Sequence, residues 1–213
     1  MTTIVVLGMH RSGTSMVSSM LHTMGVSMGT KFIEADEHNV LGYWEDRKPL
    51  EINKDILYSV KGNWKKMVTK REIEPLYDAY GTRMKNFVSD REGKTGSMLL
   101  WGFKDPRTCM TIWLWHKVLV APRYIIVHRR QEDTIKSLLK AHGRWDWSAL
   151  IQHYTQHIKA FTGIYPEAQV HYVSYDVLVK KDEYAKAATM GLASFVGCPA
   201  KVEAGFDMIK ERE

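Results

Sequence analysis

Cysteine is scarce in this sequence: Cys109 and Cys198 are the only two in 213 residues. A disulfide scaffold or a cysteine-rich tetrahedral zinc site is thereby excluded. Like charges never run to five in succession, so there is no basic arm for gripping nucleic acid, although 30 Lys+Arg against 24 Asp+Glu leave a mild excess of +6. Apolar runs are short as well. The first, Ile4 to Gly8, spans five residues without a basic lead, and nothing approaches the roughly 18 residues that cross a bilayer. These absences predict a soluble, cytoplasmic protein with no nucleic-acid partner and no membrane span. Linkers, low-complexity tracts and internal repeats are missing too, which leaves a single domain over residues 1–213.

What is present suits a folded enzyme-sized chain. Hydrophobic residues make up 45% and charged residues 25%, enough for a sizeable core. Short β-branched runs at 4–8, 98–103, 123–128 and 170–175 predict strands. Helical periodicity covers 13–25, 108–119, 131–142, 147–163 and 182–197. Continuous apolar strands separated by helices imply an α/β fold, a three-layer α/β/α arrangement with a central parallel sheet of about four or five strands. Residues 26–97 differ, with helical patterns at 46–61 and 72–91 and no convincing strand. They are expected to form a helical insertion over the strand ends, where such folds bind ligands.

The stretch VVLGMHRSGTSMVSSML, residues 5–21, carries the first chemical signal. Gly8 and Gly13 bracket four residues as in the phosphate-binding loop G-x-x-x-x-G-K-[ST], but Thr14 stands where that pattern has lysine. A strand, a glycine-containing turn and a helix start still make an anion site from backbone N–H groups and the helix dipole. Thr14 and Ser15 add hydroxyls, and Arg11 supplies a cation whose planar fork suits oxyanions.

The pattern Arg11-Ser12-Gly13-Thr14-Ser15 resembles the 5′-phosphosulfate loop of the sulfotransferases that use 3′-phosphoadenosine 5′-phosphosulfate (PAPS) and release 3′,5′-adenosine bisphosphate (PAP). In that family a Lys or Arg occupies the place of Arg11, so the charge of the missing lysine lies three residues upstream. The resemblance extends to YIIVHRRQEDTIKSLLK. There Arg129 ends a strand, Ser137 follows eight residues on, and Asp133 lies between. In the family such an Arg and Ser hold the 3′-phosphate; Arg130 is the adjacent alternative, and the spacing prefers Arg129. WGFKDPR matches a strand-ending lysine, Lys104, that reaches the transferred group in many members. YVSYDVLVKKDEYAKAATMGLASFVGCP implies Tyr175 near the adenine. Met16 stands where cytosolic members place a tryptophan, and no Arg-Lys-Gly triplet occurs, so the bacterial and tyrosylprotein branches look nearer.

The resemblance implies sulfuryl transfer from PAPS to a hydroxyl or amine on a small-molecule, glycan or peptide acceptor, without metal. Arg11 and Lys104 are the candidates to neutralise charge on the bridging oxygen. Glu45, in NVLGYWED, is the candidate base, with Tyr43 and Trp44 expected to desolvate it; Asp105 and His10 are the alternatives, and Asp105 otherwise holds Lys104 or Arg107. Trp64, Tyr77, Tyr80 and Trp145 are candidates to line the acceptor cleft. His153 and His157 share a helix face as partly buried residues. Two other readings remain open: a kinase using ATP and magnesium, with Asp105 or Asp176 as the metal acid, and a non-catalytic nucleotide or polyanion module.

Overall fold

The structure, a computed structural model, describes residues 2–36, 42–95 and 100–210. The β-branched run at the start forms β1 (Thr2–Leu7), followed by α1 (Thr14–Thr23). The insertion supplies α2 (Arg47–Ser59), α3 (Lys70–Ile73) and α4 (Tyr77–Thr95). Then come β2 (Leu100–Lys104), α5 (Thr108–Val118), β3 (Arg123–His128) and α6 (Gln131–His142). The chain continues through α7 (Trp147–Ile164), β4 (Gln169–Ser174), α8 (Tyr175–Leu178), α9 (Glu183–Val196) and α10 (Val202–Lys210).

All four strands pair in parallel, in the order β2-β1-β3-β4. Side-chain alternation along β1 divides the core in two. Val5 and Leu7 face a layer built from α2, α4, α5 and α7, with Phe87, Phe103, Trp113, Trp115 and Phe161 among its rings. Ile4 and Val6 face the other layer, where Met16, Val17, Met20, Leu192 and Phe206 of α1, α9 and α10 meet them. The expected three-layer architecture with a four-strand parallel sheet is therefore what forms. The chain leaves the centre of the sheet for one edge and then crosses to the other side, so β1 and β3 flank a switch point. Their carboxyl ends open a crevice there.

Three differences from the expected elements have local causes. The helical pattern at 72–91 is broken by Pro75, which closes α3 into a 3₁₀ turn, Glu74–Leu76, before α4 begins. The short α8 and the terminal α10 were not expected. Gly205 reads as a breaker inside α10, yet there it lets Met24 of α1 approach the helix backbone. The helices α2 and α4 do not sit over the strand ends; they lie beside α5 and β2 and are part of the core. No strand forms in this insertion among the described residues, but Ser27 bridges Trp101 and Phe32 bridges Asp46. Residues 98 and 99 of the expected second strand lie outside the described residues.

Candidate active site

The carboxyl ends of all four strands meet at one cavity of about 420 Å³, within the range of small-molecule sites. Arg11, Gly13, Thr14, Ser15 and Met16 line it after β1, Lys104 and Arg107 after β2, Arg129 and Ser137 after β3, and Tyr175 after β4. The wall is completed by His10, Ile33, Asp36, Tyr43, Glu45, Trp64, Pro106 and His142.

The loop after β1 is shaped by steric demand. Gly8 takes φ +153, and a Cβ there would lie 2.7 Å from the Val127 carbonyl oxygen. Gly13, at φ +96, precedes the first turn of α1, and a Cβ on it would collide with the Tyr175 ring. Arg11 is held at φ +67, a left-handed conformation that costs a non-glycine residue about 1–2 kcal/mol. Such strain persists where surroundings over-determine it. The N–H groups of Gly13 and Thr14 have no partner among the described residues. Ser12 points away from the cavity, its hydroxyl donating to the Met9 carbonyl at 2.7 Å.

Two arginines and a serine from distant segments converge on this loop. Arg11 donates through Nε to Ser137 Oγ at 2.9 Å. Arg129 donates through Nη1 to the Arg11 carbonyl at 3.2 Å, and its guanidinium lies 4.7 Å from the centre of the Tyr175 ring. Its Nε is buried without a partner. Arg130 instead turns outward and pairs with Asp133 at 2.7 Å, while its N–H donates to Asp176. Both alternative metal acids thus have other tasks: Asp176 receives Arg130, and Asp105 is sealed under the cavity. Among the described residues no group of three or more His, Cys, Asp or Glu is placed to hold a metal ion.

A chain of charges crosses the opposite wall. Lys104, with 1% of its side chain exposed, donates to Glu45 Oε1 at 2.8 Å and to Ser15 Oγ at 3.3 Å. Glu45 Oε2 lies 3.5 Å from Arg107 Nη1, which donates to Asp105 Oδ1 at 2.6 Å. Asp105 Oδ2 in turn accepts from Asn53 Nδ2 at 2.9 Å. Burial opposes the Arg107 charge, but the carboxylates of Asp105 and Glu45 outweigh it and hold its pKa above the ordinary value. Asn53 is wholly used: it also donates to Thr108 and accepts from Thr111 and Trp115.

Several sequence expectations need correction. Asp105 is fully buried and not part of the cavity wall, so of its two possible tasks it performs the supporting one, on Arg107. The Glu45 carboxylate is surrounded by cations and not by an apolar wall. Trp44 faces His22 and Phe32, at 5.0 and 5.1 Å between ring centres, and the Tyr43 hydroxyl donates to Asp36 at 2.6 Å. Burial first, and that bond second, push the Tyr43 phenol to about 12. Of the four aromatic cleft candidates only Trp64 lines the cavity; the Tyr80 hydroxyl donates to the Asp55 carbonyl, Tyr77 lies under Lys117, and Trp145 sits over Lys65. His153 and His157 grip the Val68 peptide, one accepting its N–H at 3.2 Å and the other bonding its carbonyl at 2.7 Å. Residues 39–41 of the Glu45 segment lie outside the described residues.

The model of the sulfotransferase family matches residues 3–199, almost the whole chain and every residue of the cavity wall. The chain belongs to the sulfotransferase family. Among solved structures, the sulfotransferase domain from the Synechococcus PCC 7002 olefin synthase is similar, with a TM-score of 0.61 and 14% identity over 92% of this chain and 73% of that one. At that identity the likeness speaks for the fold alone. A comparison with curated proteins gives no significant match.

In this family member the sequence pointed to Arg107 only as a residue held by Asp105, and gave no sign of His142 or Asn53. Arg107 was legible in part, since KDPR places two cations three residues apart around an acid at a strand end. His10 was named only as an alternative. Burial, followed by the charges of Arg107, Lys104, His142 and Arg11, holds its imidazole well below the usual 6.5, and its Nε2 has no partner.

Two outcomes follow for stability. Asn53→Ala leaves Oδ2 of the fully buried Asp105, and the Thr108, Thr111 and Trp115 groups around it, without their partner, and is expected to cost on the order of 3 kcal/mol, read as a lower urea midpoint. His10, His153 and His157 all have pKa values depressed chiefly by burial from 6.5. Below 6.5 the unfolded chain therefore binds more protons than the folded one. Unfolding free energy should be undiminished above that value and fall on acidification, giving a lower urea midpoint at about pH 5.5 than at about pH 7.5.

Proposed function

We propose that this protein transfers the sulfuryl group of PAPS to a hydroxyl or amine acceptor. What supports the reading is that one cavity carries two sets of groups suited to anions, joined through the Arg11–Ser137 hydrogen bond. The loop of Gly13 to Ser15 with Arg11 forms one, and Arg129 with Ser137 forms the other. An adenosine bearing both a 5′-phosphosulfate and a 3′-phosphate presents anions at two ends, which ATP does not. The unpartnered N–H groups of Gly13 and Thr14 and the bare Nε of Arg129 suit oxyanion oxygens. Tyr175 lines the same cavity, packed between Gly13 and Arg129, so its ring edge would border the adenosine.

In the reaction the acceptor oxygen or nitrogen bonds to sulfur and loses its proton. The bond from sulfur to the bridging oxygen breaks, with its electron pair left on the departing bisphosphate. Lys104 and Arg11 neutralise that oxygen, and cations already placed in the cavity wall need little reorganisation to do so. The Glu45 carboxylate takes the proton; His10, whose buried Nε2 has no hydrogen-bond partner among the described residues, is the alternative lining the same cavity. Ile33, Asp36, Tyr43 and Trp64, all from the insertion, form the acceptor side, which suits a small molecule or the end of a glycan or peptide.

Titration with PAP tests the reading. The wild-type chain should bind PAP in preference to ADP without magnesium. Arg129→Ala should weaken that binding tenfold or more, about 1.5–3 kcal/mol for lost charge-assisted bonds; unchanged affinity removes the 3′-phosphate assignment. Glu45→Gln should still bind PAP yet lose the slow release of sulfate from PAPS with water as acceptor. Full turnover in that variant moves the proton to His10.

A further inference from the structure

Arg107 has no part in the reaction just described, although its guanidinium is built into the cavity wall with only 12% of the side chain exposed. Three observations define what holds it and what it holds. Its own N–H and Nη1 both donate to Asp105 Oδ1, at 3.1 and 2.6 Å. Asp105 is fixed from the other side by Asn53 of α2, whose amide has no free donor or acceptor left. The same Nη1 stands 3.5 Å from Glu45 Oε2, while Lys104 occupies Oε1. The carboxylate is thus held through both oxygens, by cations that approach from separate directions.

We propose that Arg107 is a positioning residue for sulfuryl transfer, holding the Glu45 carboxylate in the orientation from which it takes the acceptor proton. The inference rests on the transfer reading above. Its chemistry follows from charge. When the acceptor oxygen bonds to sulfur, its proton passes to Glu45, and the electron pair of the breaking sulfur–oxygen bond goes to the departing bisphosphate. Glu45 thereby loses the charge that retained Lys104, and the ammonium is released toward the new charge on the bridging oxygen. A carboxyl tied only to Lys104 would be set loose at that moment. Arg107, anchored on Asp105, does not move in the step because its anchor does not change charge, and its N–H beside Oε2 remains a donor to the neutral carboxyl. The arrangement couples proton uptake at Glu45 to charge compensation by Lys104, while Arg107 stays fixed on Asp105.

The test uses the full chain, PAP as the binding probe, and release of radiolabelled sulfate from PAPS with water as acceptor. Arg107→Ala should bind PAP near wild-type affinity and release sulfate about 10²-fold more slowly, the loss that follows a displaced catalytic group. Guanidinium chloride at low millimolar concentration should restore part of the rate by occupying the vacated place beside Asp105. Arg107→Lys, which keeps a cation and also serves should the alanine variant fail to fold, should retain more activity than alanine. A wild-type rate in Arg107→Ala, or a deficit that neither guanidinium nor lysine relieves, overturns the positioning role. A wild-type chain that neither binds PAP nor releases sulfate overturns the transfer reading and this inference with it.

Discussion

A lysine ammonium almost without solvent contact is the constraint around which the molecule is organised. Taking the Lys104 charge out of water costs several kcal/mol unless a counter-ion meets it, and among the described residues the carboxylate that reaches it is Glu45, 59 residues earlier. The chain leaving α1 must therefore bring Glu45 back beside the end of β2. It does so through a short antiparallel contact, with Ile33 donating to the Glu45 carbonyl and Arg47 to the Lys31 carbonyl, both at 2.9 Å. Asp46 then locks the return. Its carboxylate accepts from the Thr30 N–H at 2.7 Å and caps α2 through the Lys48 N–H. One buried charge thus fixes the route of the insertion, the start of α2, and through α2 the place of Asn53.

The sheet converts this local constraint into a site. Parallel strands end on the same side, so each of the four delivers one polar side chain to a common crevice without any long-range loop. The glycines make the approach close enough. Only a residue lacking Cβ lets the Tyr175 ring lie against the loop at Gly13, and that ring in turn lies beneath the Arg129 guanidinium. The result is a contact series from β4 through β1 to β3 in which ring, loop and guanidinium hold one another in place.

Much of this was legible in the residues. The strands at 123–128 and the helix at 131–142 coincide with the expected spans, because both are continuous patterns with unambiguous period. Arg129 and Ser137 share the cavity as their spacing implied, since two helical turns separate a strand end from a residue facing the same crevice. What could not be read was side-chain direction outside regular elements. Trp44 sits at φ +55, which turns its ring toward His22 and away from the carboxylate beside it in sequence. The capture of Glu45 by Arg107 and the burial of Asp105 depend equally on tertiary approach, for which a single sequence has no periodic signal. The four-residue α8 is too short to show a period at all.

Asn53 has one more implication. Because it reaches from α2 into the base of the crevice, the segment between β1 and β2 is no detachable cover that can be exchanged as a cassette. Its helices carry Ile52, Ile56, Met84 and Phe87 in the interior, and its amide satisfies an acid on which the cationic wall stands. A change of residue at the rim, at Ile33 or Asp36, alters the cavity wall without touching the buried acid and amide beneath it.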